Sequence, residues 1–91
     1  MDIIHYNIWV KGRVQGVWFR KYTKDEALKI GIKGFVRNEK SGNVYIEAEG
    51  PKTDLLNFYT WLQIGSPKSE VKEVTYEEGN IQGFESFLIV H

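Results

Sequence analysis

The sequence predicts an α+β sandwich: a five-stranded, mainly antiparallel sheet with two helices on one face. Three observations carry that expectation. Short runs alternate apolar and polar residues with period two, two longer segments repeat at helical spacing, and Gly or Pro punctuates the chain between them. Read in order, they give strand, helix, strand, strand, helix, strand, strand, the pattern βαββαββ.

The first strand covers His5 to Lys11, with Tyr6, Ile8 and Val10 on one side and Asn7, Trp9 and Lys11 on the other. Phe19, Thr23, Ala27 and Ile30 then recur at helical spacing, and Gly31 suits the C-terminal cap. Gly34 to Asn38 and Asn43 to Gly50 form a hairpin around Glu39-Lys40-Ser41-Gly42. Val44, Ile46 and Ala48 are expected in the core, with Tyr45, Glu47 and Glu49 outside.

Pro51 suits the first turn of a second helix, where its missing amide leaves nothing unpaired. Leu55, Phe58, Tyr59 and Leu62 trace the buried stripe of that helix, Gly65 caps it and Pro67 stops it. Glu70 to Glu77 is a charged strand fit for a sheet edge that must avoid other molecules. Gly79-Asn80 and Gly83 break the chain before Phe84 to Val90, an apolar run that suits a central strand. No linker, repeat or low-complexity segment appears, so residues 1–91 are expected to form a single domain of ferredoxin-like topology. Such a fold hosts many functions and argues for none of them.

Composition narrows the classes. The chain has 91 residues and no cysteine, which removes disulfides, a thiol nucleophile and Cys-ligated metal. No apolar run approaches the roughly 20 residues that span a bilayer, and the N-terminus lacks the features of a signal peptide. A cytoplasmic location is expected. The net charge is zero but unevenly spread: residues 1–40 hold nine Lys/Arg and four Asp/Glu, and residues 41–91 hold three and eight. That pattern suits local focusing of an anion better than a broad basic face for nucleic acid.

Common reactive sets are missing. There is no HExxH helix, CxxC pair or GxxxxGK[ST] loop. His5 and His91 are read as surface residues without ligand spacing, and Ser41, Ser66, Ser69 and Ser86 have no adjacent histidine base. Glu47 and Glu49 share a strand face, which is read as a solvated edge.

What remains is Gly12-Arg13-Val14-Gln15-Gly16-Val17-Trp18-Phe19-Arg20, where a strand gives way to a helix. Two glycines let the backbone turn tightly and approach a ligand. The amides that follow open toward a helix N-terminus, which favours an anion, and Arg20 adds a fork of donors matched to phosphate or carboxylate. A plain strand-to-helix turn with a surface arginine is the competing reading. Asn38 ends the second strand after Arg37, a place asparagine also takes for conformational reasons alone.

The string Gly12 to Arg20 resembles the GRVQGVxFR signature of the acylphosphatase family. Gly34-Phe35-Val36-Arg37-Asn38, Gly42-Asn43-Val44 and Ala48-Glu49-Gly50 are similar to its second block, and Gly65-Ser66-Pro67 and Phe87-Leu88-Ile89-Val90 to its tail. The resemblance spans essentially the whole chain. It implies hydrolysis of the carboxyl-phosphate mixed anhydride of small-molecule acyl phosphates, with inorganic phosphate as product and inhibitor. It also implies the strand order 4-3-1-5-2 and a monomer.

Under that resemblance, backbone amides of Gln15, Gly16, Val17, Trp18, Phe19 and Arg20 hold the phosphate, Arg20 binds it through its side chain, and Asn38 positions the water. A carboxylate leaves readily, so positioning and charge stabilisation suffice. The proton goes to the substrate's own phosphate oxygen. No metal, cofactor or covalent intermediate is required, and neither a nucleic acid nor a membrane partner is expected.

Three positions depart from the pattern. Trp18 is expected to cover the cradle or lie against its outer wall, Phe35 to be a core change of one aromatic for another, and Glu39 to disfavour anionic substrates if it faces the mouth. Two other readings use the same residues. One is a non-catalytic module that uses the cradle to bind a phosphorylated ligand or partner. Family-like domains also occur inside larger proteins such as hydrogenase-maturation factors, where they serve a multidomain reaction, although a chain that begins and ends with the domain favours a free-standing enzyme. An RNA-binding sheet would use Trp9 and Tyr45, but the recognition motifs such sheets carry are missing.

Overall fold

The computed structural model describes residues 2–91. Its elements are β1 (Ile3–Arg13), α1 (Phe19–Ile30), β2 (Lys33–Asn38), β3 (Val44–Pro51), α2 (Lys52–Ile64), β4 (Glu70–Gly79) and β5 (Phe87–Val90). Their order is the expected one. Glycine ends both helices, Gly31 at φ 97 and Gly65 at φ 78. Pro51 stands one residue earlier than anticipated, as the extended N-cap of α2 rather than within its first turn. No helix among the described residues is long and apolar enough to cross a membrane.

Strand alternation decides what enters the core. β1 supplies Tyr6, Ile8 and Val10, β3 supplies Val44, Ile46 and Ala48, and β2 supplies Val36, all buried. The helices answer with Phe19 and Ala27 from α1 and Leu55, Phe58 and Leu62 from α2. Each such large apolar side chain contributes about 1.5–3 kcal/mol on burial. Tyr59 lies half-buried at the margin of this layer and donates its hydroxyl to the Val74 carbonyl at 2.7 Å.

Thr23 is the exception within the core. It is fully buried on α1 and its hydroxyl has no hydrogen-bond partner among the described residues. An unpaired buried hydroxyl costs about 1–3 kcal/mol. Thr23→Val is therefore expected to raise the urea unfolding midpoint by an amount worth about 1 kcal/mol. A lowered midpoint would mean that the hydroxyl has a partner in solution.

The sheet runs β4-β1-β3-β2-β5, not 4-3-1-5-2. The physical reason is the short turn at residues 39–43: it obliges β2 to lie directly beside β3, with Asn38 opposite Val44, a contact the expected order denies. β4 pairs antiparallel with β1, and β5 pairs parallel with β2. The last strand is thus an edge, not central, and is shorter than expected. Phe87 faces the core while Leu88 remains 55% exposed.

The second face of the sheet is less open than its sequence suggests. His5 and Glu49 occupy opposite positions on β1 and β3, and both are buried, correcting the reading of each as a surface group. The His5 Nδ1 lies 2.7 Å from Glu49 Oε2, and its Nε2 lies 2.9 Å from Asn7 Oδ1. The segment before β5 covers this pair. Its Gln82, Gly83 and Phe84 amides all donate to the Glu49 carboxylate, and the Phe84 ring stacks on His5 at 6.0 Å. Phe35 also belongs to this face rather than to the core, edge-on to Phe84 at 5.7 Å. Tyr45 is buried beside it, beneath Arg37, whose guanidinium sits 4.8 Å from the Tyr45 ring centre.

Candidate active site

The loop from Val14 to Trp18 joins β1 to α1, and two glycines, Gly12 near the end of β1 and Gly16 within the loop, do different work. Gly12 lies at the irregularity where the β1–β4 register shifts. Its φ is 132, and a Cβ there would overlap the Glu70 carbonyl oxygen. That glycine serves strand pairing. Gly16, at φ 72, has open space where a Cβ would stand, and it lines a cavity. Of the two, only Gly16 borders a cavity with room beside its backbone.

Three tethers fix the loop. Val14 and Val17 are buried in the core. The Gln15 side chain reaches the β2–β3 turn and donates to the carbonyls of Glu39 and Asn43, both at 2.8 Å. Buried Ser66, following the Gly65 cap, points its hydroxyl at the Val17 carbonyl at 3.4 Å. So held, the loop leaves the backbone amides of Gln15 to Arg20 without a turn, cap or side-chain acceptor among the described residues. Unpaired donors leading into a helix N-terminus favour an anion. α1 has no acidic residue in its first turn to compete for that place.

Alternation along β2 supplies the opposite wall. Val36 and Asn38 share the helix-facing side, whereas Arg37 turns to the other face and stays outside the site. Asn38 ends the row, exposed, with no hydrogen bond to its side chain among the described residues. Arg20 rises from the first turn of α1, half-buried, and its Nη1 donates to His91 Nδ1 at 3.2 Å. Arg20, Asn38, Gly16, Trp18 and Phe19 border one cavity of about 490 Å³, together with Val14, Lys21, Ile89 and His91. Lys21 is engaged by Asp25 at 2.9 Å.

The family model for acylphosphatase matches residues 6–89. The chain belongs to the acylphosphatase family. An acylphosphatase of Pseudothermotoga lettingae is 46% identical over 83 residues, covering 91% of this chain and 93% of its own. One from Archaeoglobus fulgidus is 38% identical over 89 residues, covering 98% and 100%. The crystal structure of acylphosphatase from Bacillus subtilis superposes with a TM-score of 0.94 at 40% identity, covering 97% of this chain and 99% of that one.

In this acylphosphatase-family chain, the groups singled out in the sequence, Arg20, Asn38 and the loop, meet at one cavity. Three contacts at the cavity were not anticipated. His91 is exposed, as the sequence reading had it, and its ring accepts from Arg20; the spacing of 71 residues carries no local signal. Ile89 reaches the cavity because β5 lies beside β2. Gln15 was expected to act through its backbone, and its side chain is what joins the loop to the hairpin that ends in Asn38.

Proposed function

We propose that this chain hydrolyses acyl phosphates with Arg20 and the loop amides as the phosphate ligands and Asn38 as the water positioner. The observation that carries this reading is the cavity itself, where unpaired amides, a guanidinium and an unengaged carboxamide converge. Asn38 can accept a hydrogen bond from water without titrating. Water attacks phosphorus in line, the bond to the acyl oxygen breaks, and the carboxylate departs. The proton of the attacking water passes to a non-bridging phosphate oxygen. Arg20 and the amides neutralise charge on the equatorial oxygens as they do so.

The chain has no cysteine, in keeping with a reducing cytoplasm.

The reading is tested by a continuous assay with benzoyl phosphate. Hydrolysis is expected to be inhibited competitively by inorganic phosphate and indifferent to chelator. Asn38→Ala is expected to keep the phosphate inhibition constant within about twofold while kcat falls about 10²-fold, the scale of a misplaced reactant. Full activity in that variant removes Asn38 from the mechanism. Phosphate binding without turnover of any acyl phosphate by the unmutated chain makes the site a binding module.

A further inference from the structure

Trp18 is the one non-glycine residue at positive φ among the described residues, at φ 61 and ψ 17. For a bulky side chain that conformation is unfavourable, and glycine would adopt it freely. Among the described residues, no side-chain hydrogen bond or ring contact of Trp18 explains the choice. The indole is 71% exposed, and Trp18 makes no side-chain cap to α1. Strain held at a ligand site without a packing return points to the ligand.

What the conformation achieves is placement. As the residue before α1, Trp18 stands at the rim of the cavity that holds Arg20 and Asn38. At about 490 Å³, that cavity falls in the roughly 300–1,000 Å³ range of pockets for small organic ligands. A phosphoryl group seated on the amides leaves most of it free. Apart from His91, which is engaged by Arg20, the rest of the wall is largely apolar, formed by Val14, Trp18 and Ile89. The neighbouring cation Lys21 is occupied by Asp25, so the wall offers little to a charged acyl group.

We propose that Trp18 sets substrate preference: its indole is the surface on which an aromatic or bulky apolar acyl group packs, favouring such acyl phosphates over short ones. Offset stacking and burial of the acyl carbons both reward an aromatic group there. The inference rests on the acyl phosphate hydrolysis proposed above.

The test compares kcat/KM for benzoyl phosphate and acetyl phosphate in the unmutated chain, Trp18→Gly and Trp18→Phe. Glycine relieves the backbone, so that variant is expected to fold. The benzoyl-to-acetyl ratio is expected to fall about tenfold in Trp18→Gly and to stay within about threefold of its original value in Trp18→Phe. A ratio unchanged in Trp18→Gly overturns the role of Trp18 and leaves the hydrolytic reading standing. Failure of the unmutated chain to hydrolyse either substrate overturns both. A readout without variants uses the non-hydrolysable benzoylphosphonate and acetylphosphonate as competitive inhibitors. The aromatic one is expected to bind about tenfold more tightly, and equal inhibition constants count against the proposal.

Discussion

Arg20→Ala is expected to lower kcat/KM for benzoyl phosphate by about 10²–10³ and to weaken inhibition by inorganic phosphate in parallel. Removing one preorganised donor from developing charge costs roughly 3–4 kcal/mol at the transition state. Arg20 is placed to act this way because the helix start and the loop tethers fix its backbone. Its side chain is half-buried, and His91 accepts one of its hydrogen bonds. Arg20→Lys is expected to recover only part of the loss, since an ammonium supplies charge without the planar fork. Because the loop amides remain in both variants, residual phosphate binding should persist. Activity within threefold of the original in Arg20→Ala would exclude its side chain as the phosphate ligand.

Glu49→Ala is expected to be the most damaging change away from the cavity, lowering unfolding free energy by about 3 kcal/mol or more in urea titration. The carboxylate is buried and serves four donors at once: the His5 ring and the amides of Gln82, Gly83 and Phe84. Leaving even one buried polar group unpaired costs about 1–3 kcal/mol. Burial acts to raise the Glu49 pKa, but the hydrogen bonds from Gln82, His5, Phe84 and Gly83 outweigh it and hold the value below its ordinary level. A carboxyl whose pKa is depressed in the folded state stabilises the fold above its unfolded pKa, and that stability is lost as pH falls through the folded value. The chain is therefore expected to lose stability on acidification below the ordinary carboxylate range, and Glu49→Gln to flatten that limb of the profile. An unchanged acid limb in Glu49→Gln would assign the loss to other carboxylates.

The elements were legible where local chemistry decides them. Phe19, Thr23 and Ala27 define the buried side of α1, and the positive φ of Gly31 and Gly65 stops both helices where glycine stands. Strand parity was equally clear, since Val44, Ile46 and Ala48 all reach the core. Parity names a face, however, and not what lies over it. His5 and Glu49 are on the face expected of them, but the cover is the backbone of residues 82–84, whose amides have no side-chain signature. The central place expected for the last strand erred for a related reason: the apolar run before the C-terminus reads as central, while only its Phe87 and Ile89 side packs inward. The hairpin turn at Glu39 to Gly42 held enough information to place β2 beside β3. Arg20 and Asn38 were singled out by motif and both border the cavity, and β-strand alternation explains why Asn38, not Arg37, faces the loop.

The parallel pairing of β2 with β5 has a consequence for biosynthesis. The cradle and Arg20 emerge early from the ribosome, yet Ile89 and His91 complete their surroundings from the far end of the chain. Contacts between such distant segments form late, since loop closure must precede them. A nascent chain that has folded β1 through β4 still lacks one wall of the cavity. Hydrolysis is thus a timer for the final docking step: its onset in a stopped-flow refolding experiment is expected to track closure of the β2–β5 edge rather than collapse of the core.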